Sequence, residues 1–328
     1  MKKTVSSVVI LILFAFAQHA FGGGAREPNP DEPASASGGR LPIFVLVPKG
    51  VHPYYEPIYR GFNEAARFHG VITEVDAPPR FSVELQVKVI EDLIARGVDG
   101  IAISANDDAG LVAVIHDAVS AGIKVITVDA PAPSSEALTY IGTDNESAGY
   151  EAGKRMARAM GGRGKLAVLQ GGMGATNLNL RTRGFTRALA EEAPDVEVVA
   201  VIDEGGDFAE SVNKTEALLA EHPDLKGIFS VSAEGSPAAA AVVKRQGAKG
   251  SVVIAGFDDL RDTLDGIRDG SIVFCVVQRT YRMGWLSVER LLDAVNGLPG
   301  PKVIDTGVVF VDRLNIDGYM DEMDGKKM

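Results

Sequence analysis

The chain has 328 residues, 46 % hydrophobic and only 6 % aromatic, with 37 Gly, one Cys and a formal net charge of −11. The apolar content supports packed cores and excludes a disordered chain, and the length fits two domains of about 100–200 residues better than one. The acid surplus argues against a nucleic-acid partner, and a single Cys excludes an internal disulfide and thiolate metal clusters.

Lys2 and Lys3 precede an uncharged apolar run at 8–17, too short to cross about 30 Å of hydrocarbon comfortably. Small residues follow at Ala15-Phe16-Ala17 and Ala20-Phe21-Gly22. This pattern predicts a cleaved export signal over 1–22 and a periplasmic protein; an uncleaved anchor is the alternative. With no Cys near the cleavage region, a lipid anchor is not expected. Residues 23–40 carry Pro28, Pro30, Pro33 and alternating Ala and Ser without an apolar period, and read as a flexible tether.

From Leu41 onward short apolar runs alternate with longer mixed segments. Strands are predicted at 43–47, 71–75, 100–104, 124–129, 165–170, 197–202, 227–232, 252–257, 272–278 and 307–311. These runs are Val/Ile-rich and nearly continuous, as in parallel sheets covered on both faces. Helices are predicted at 55–69, 83–96, 111–121, 146–160, 183–193, 209–221 and 283–295. In the second, Val83, Val87, Ile90 and Ile94 form one apolar stripe and Gly97 ends it. The alternation predicts an α/β protein of βαβ units, divided into two doubly wound parallel-sheet lobes. Cys275 falls inside a strand-like run and reads as a small core residue.

In open parallel sheets the ligand site lies beyond the carboxyl ends of the strands. The residues that follow the strands are therefore informative. They include His52, Tyr54 and Tyr55, then Ser104, then Asp129, then Asn177 and Arg181 after a Gly-rich loop, then Phe208, Ser232, Asp258 and Gln278. Carboxylates, an arginine and amides suit the paired donor and acceptor character of sugar hydroxyls. Tyr54, Tyr55 and Phe208 offer flat walls for a sugar ring. Asp129 and Asp258 have an alternative reading as helix caps. If Tyr54 and Tyr55 stand on a helix they point roughly 100° apart, which would send one into the core.

The same inventory suits catalysis poorly. Of His19, His52, His69, His116 and His222, only His52 follows a strand, and no neighbouring carboxylate orients it. No Gly-x-Ser-x-Gly, His-Glu-x-x-His or EF-hand pattern occurs, so neither a nucleophile elbow nor a metal is expected. Gly171-Gly172-Met173-Gly174 partly matches a dinucleotide loop, but the third Gly of that motif would fall at Asn177. A nicotinamide-dependent dehydrogenase is thus the disfavoured enzyme reading, and no cofactor is expected.

Ordered along the chain, these pieces resemble a type I periplasmic sugar-binding protein of the ribose-binding branch, whose fold also forms the ligand domain of lactose-repressor-type regulators. The resemblance runs from about Leu41 to Arg313. It is carried by His52-Pro53-Tyr54-Tyr55, Gly97-Val98-Asp99-Gly100-Ile101 and Val125-Ile126-Thr127-Val128-Asp129. It continues through Ile141-Gly142-Thr143-Asp144-Asn145, Arg181-Thr182-Arg183-Gly184-Phe185, Gly256-Phe257-Asp258 and Val277-Gln278.

The resemblance implies that Tyr54 and Tyr55 stack on a sugar, that Asp129, Arg181, Asp258 and Gln278 bind hydroxyls, and that Phe208 forms a wall. It also implies three chain crossings near Asp144, Gln278 and Thr306. The lobes would then be 41–144 plus 279–306 and 145–278 plus 307–328, pivoting about a hinge. Four positions depart from the family: His52, Ser104 and Ser232 stand where Asn is usual, and Ala130 where ribose binders carry Arg. Asn177 supplies an amide four residues before Arg181. The implied partners are a small sugar or polyol and the membrane permease of an ABC transporter, or else a periplasmic sensor domain. A monomer is expected.

Overall fold

A computed structural model of the chain describes residues 40–323. The expected export signal at 1–22 lies outside the described residues, as does the tether up to residue 39. The compact unit opens at Leu41.

The first run of elements is β1 (Ile43–Val47), a 3-10 turn (Pro53–Tyr55), α1 (Glu56–His69), β2 (Ile72–Val75), α2 (Val83–Arg96), β3 (Gly100–Ile103), α3 (Asp108–Ser120), β4 (Lys124–Val128) and β5 (Tyr140–Gly142). The second run is α4 (Asn145–Ala159), β6 (Arg163–Gln170), α5 (Thr176–Glu192), β7 (Asp195–Asp203), α6 (Phe208–Glu221), β8 (Leu225–Ser230), α7 (Gly235–Arg245), β9 (Val253–Phe257), α8 (Arg261–Asp269) and β10 (Phe274–Gln278). The chain then returns through α9 (Thr280–Val295) and β11 (Val303–Asp305), and the last described elements are β12 (Val308–Asp312) and α10 (Ile316–Met323).

The strands form two six-stranded sheets with the same winding, β11-β5-β4-β3-β1-β2 and β12-β10-β9-β8-β6-β7. All pairings are parallel except β10 with β12. Each sheet reverses its strand order beside its first strand, β1 or β6, which is where doubly wound sheets open a crevice. The chain passes from one sheet to the other after β5, after β10 and after β11.

Strand burial explains the winding. β3 is buried throughout, and β1 and β4 are buried except at their first residues. Both faces of each sheet therefore need helical cover. Four apolar clusters supply it, two per lobe, one against each sheet face. At about 25 cal/mol per Å² of apolar area removed from water, this burial is the main stabilising term. Polar residues set the helix starts: Ser82 caps α2, Asp107 caps α3, Asp144 caps α4 and Asp207 caps α6.

Several elements differ from the sequence expectation. Helix α5 begins at Thr176, seven residues earlier than the apolar period suggests. Its first turns carry Asn177, Asn179 and Arg181, polar side chains that hide a helical stripe. Helix α7 was not anticipated, because it is buried from Gly235 to Ala240 and so shows no polar face. The three-residue strands β5 and β11 are too short for a period of two to register.

Candidate functional site

The cleft lies between the carboxyl ends of the two sheets. On the first lobe, His52 caps the 3-10 turn: its Nδ1 accepts the Tyr54 N–H at 3.1 Å, and Pro53 starts the turn. The turn sends the two tyrosines different ways. Tyr55 drops into the core at 2 % exposure, whereas Tyr54 faces the cleft, its ring edge-on to Tyr55 with centroids 5.1 Å apart.

Asp129 follows β4 and organises this wall. The Tyr54 hydroxyl donates to Asp129 Oδ1 at 2.6 Å. Ser104 Oγ donates to Oδ2 at 2.6 Å, and the Tyr55 hydroxyl reaches the same oxygen at 3.3 Å. Burial, then the Asp129 charge, pushes both tyrosine phenols well above their ordinary range, so they remain donors at neutral pH.

The second lobe presents Asp258 after β9. Gln278, the last residue of β10, donates its amide N–H groups to Asp258 Oδ1 at 2.9 Å and to the Tyr54 hydroxyl at 2.8 Å. Its carbonyl accepts from Thr143 Oγ1 at 2.8 Å. A continuous chain thus runs from Asp129 through Tyr54 and Gln278 to Asp258, joining the lobes. Burial pushes Asp258 up to about 7, against the opposing pull of Arg181 and the Gln278 bond.

Arg181 is 1 % exposed in the second turn of α5. Its Nε donates to Asn145 Oδ1 at 2.8 Å and its Nη1 to the Val231 carbonyl at 2.9 Å. The guanidinium lies 4.1 Å above the Phe257 ring. Its Nη2 has no hydrogen-bond partner among the described residues, although it is buried and Arg181 lines the cleft. An orphaned buried donor on a charged group is costly unless something fills it.

Further contacts cross the cleft. Lys49 Nζ donates to Asn177 Oδ1 at 3.0 Å. Burial lowers Lys49 to about 8; Arg181 adds to this, while Asp129, Asp258 and Glu234 oppose it. His52 Nε2 pairs with the Glu234 carboxylate. Burial works against a charged His52, yet the Glu234 hydrogen bond and charge outweigh it and raise the imidazole. Ser232 Oγ faces the cleft and donates to buried Glu204, which Ser211 also holds.

Of the residues expected from the sequence, His52, Tyr54, Tyr55, Asp129, Asn177, Arg181, Ser232, Asp258 and Gln278 all line this cavity. Two do not. Ser104 sits behind Asp129 and orients it. Phe208 is 43 % exposed as the first residue of α6, because the turn through Gly205 and Gly206 and the Asp207 cap swing it outward. Its place as aromatic wall falls to Phe81, ahead of the Ser82 cap. The Phe81 ring centroid lies 6.1 Å from that of His52, and the ring packs on Gly206 of the opposite lobe. The expectation that no carboxylate orients His52 is also overturned, since Glu234 arrives from the other lobe. Sequence reasoning assigned no role to Lys49, Phe81 or Glu234. Lys49 stands two residues beyond β1 and Glu234 four beyond β8, so the strand-end stretches were the signal; Phe81 stands six residues beyond β2.

The family model of the periplasmic binding protein domain matches residues 43–299. The chain belongs to that family. A solute-binding protein of Burkholderia graminis C4D1M, solved in complex with D-arabinose, is 40 % identical with a TM-score of 0.82, over 85 % of this chain and 97 % of that one. The ribose import binding protein of Bacillus subtilis is 28 % identical over 309 residues, 93 % of this chain and 97 % of the relative. A chain of a XylFII–LytSN complex is 28 % identical with a TM-score of 0.79, over 84 % of this chain and 99 % of that one. Asp129, after β4 of one sheet, and Arg181, on α5 beside the other, line the same cavity.

Proposed function

We propose that the protein is an exported solute-binding protein that traps one sugar or related polyol between its lobes and delivers it to an ABC-type importer. The observation that carries this is Arg181 Nη2, a buried cationic donor without a hydrogen-bond partner among the described residues, set in a cleft that also holds Asp129 and Asp258. A sugar hydroxyl accepts from that donor while its own proton goes to a carboxylate. Each such bond to a charged group contributes roughly 1.5–3 kcal/mol net, and three of them together with burial of the sugar ring against the aromatic walls make up the roughly 8 kcal/mol of a micromolar site after ordering costs.

Tyr54, Asp129, Asn177, Arg181, Ser232, Asp258 and Gln278 are the residues assigned to ligand contact, with Phe81 and Tyr54 as flat walls. The lobes are 41–144 plus 279–306 and 145–278 plus 307–328, and residues 1–22 direct export to the periplasm. We read the cleft as a binding site without bond-making chemistry: its hydroxyls and carboxylates are tied to one another in supporting pairs. Relatives with D-arabinose bound or with ribose import in their names make aldopentoses the first candidates. The likeness to XylFII in its LytSN complex favours a second reading, in which the closed form is read by a receptor protein.

A thermal-shift screen of pentoses, hexoses and polyols tests this. A cognate ligand at 100 times its Kd stabilises by about 2.7 kcal/mol and raises Tm. A flat response to every sugar and polyol contradicts the proposal.

A further inference from the structure

His52 and Glu234 reach each other from opposite lobes, His52 from the loop after β1 and Glu234 from the position just ahead of α7. Their side chains keep only 17 % and 8 % exposure, while neighbouring Val51 is 68 % exposed, which places the pair at the cleft rim. The Tyr54 N–H occupies His52 Nδ1, so the ring proton stands on Nε2, pointing at Glu234. Glu204 lies beside Glu234, and the Glu234 charge helps hold the Glu204 carboxyl above its ordinary range. The contact with His52 gives the 8 % exposed Glu234 carboxylate a partner from the opposite lobe.

We propose that His52 and Glu234 form a latch that holds the two lobes together, acting on each other rather than on the ligand. The proposal rests on the reading of the cleft as a sugar trap. A latch changes only the ratio of closed to open forms, so it scales the affinity for every ligand by one factor. A ligand contact instead discriminates among sugars by their hydroxyls. Without His52, closure buries the Glu234 carboxylate with no partner; in the open form water solvates it.

The experiment compares the parent with His52→Ala and His52→Gln, whose amide N–H stands near the place of Nε2. Two readouts are taken: calorimetric Kd values for ribose, arabinose and xylose, and the radius of gyration of the sugar-free protein by X-ray scattering. We expect His52→Ala to weaken every sugar that binds by the same factor, about tenfold, and to expand the sugar-free protein. We expect His52→Gln to keep the sugar-free radius near that of the parent. Factors that differ among sugars by more than about threefold overturn the latch, as do affinities and a sugar-free radius that are both unchanged in His52→Ala. Should the parent bind no sugar, the sugar-trap reading fails, and the scattering comparison still decides the latch.

Discussion

Asp129 and Asp258 occupy matching places in the two lobes, each directly after the fourth strand of its sheet's winding. Their φ angles are 64° and 66°, and among the described residues they are the only non-glycine residues with positive φ. Each backbone N–H is held by the adjoining strand, Asp129 by the Ile141 carbonyl at 2.9 Å and Asp258 by the Val276 carbonyl at 2.8 Å. Left-handed backbone at an aspartate costs on the order of 1 kcal/mol and persists where the surroundings enforce it. Neither residue caps a helix: α8 starts after Leu260 with no side-chain cap, and Asp129 binds Tyr54, Tyr55 and Ser104 instead. The strain aims one carboxylate from each lobe into the cleft.

Asp129→Asn and Asp258→Asn keep a residue type that tolerates this backbone. Each is expected to weaken sugar binding at least about tenfold, the loss of one charged hydrogen bond. Because burial already pushes Asp258 up to about 7, its neutral replacement leaves the Tm of the sugar-free protein unchanged or raised at pH 8. Calorimetric titration and thermal unfolding check both halves.

The aromatic walls give a paired prediction. Phe81→Ala removes the ring that packs on Gly206 and is expected to weaken binding about tenfold. Phe208→Ala alters an exposed side chain outside the cavity and is expected to leave Kd unchanged. Side-by-side titrations of the two variants decide between them.

Much of this was legible in the sequence because apolar strands buried on both faces announce themselves, and the residue that follows such a strand has little choice but to line the crevice. Asp129, Asp258 and Gln278 were found in that way. Phe208 went wrong because a first-turn helical residue points wherever its cap aims it, which depends on the φ values of Gly205 and Gly206. Glu234 was passed over as a partner because nothing local links residue 52 to residue 234; only the facing of two lobes joins them.

Glu204 gives a pH prediction. It is fully buried, and burial pushes it from 4.5 to about 7, the hydroxyls of Ser211 and Ser232 opposing. Between those values the folded chain keeps a proton that the unfolded chain has released, so this residue's contribution to stability falls as pH rises from about 4.5 to 7. Glu204→Gln removes that slope. Its unfolding free energy should exceed the parent's by up to about 3 kcal/mol at pH 8 and match it near pH 4. Urea unfolding at the two pH values measures the difference.

Close helix pairs make a stability prediction with a functional arm. A Cβ added at Gly284 of α9 would stand 2.0 Å from the Ile58 carbonyl of α1, and one at Gly184 of α5 would stand 2.0 Å from the Glu146 carbonyl of α4. Neither backbone can yield without separating its helices. Gly284→Ala and Gly184→Ala are each expected to lower stability by about 1–3 kcal/mol. Gly184→Ala should also weaken sugar binding, because α5 carries Arg181. Urea unfolding followed by titration of the folded variants separates the two effects.

The most direct measurement is a calorimetric titration of the parent and of Arg181→Met with the sugar that gives the largest thermal shift. The parent should bind one sugar per chain with micromolar Kd, and Arg181→Met should bind at least about 100-fold more weakly, as expected for loss of charged hydrogen bonds. Arg181→Lys, which retains the charge without the planar fork, should fall between them. Equal affinity in the parent and a folded Arg181→Met would contradict a trap built around that guanidinium.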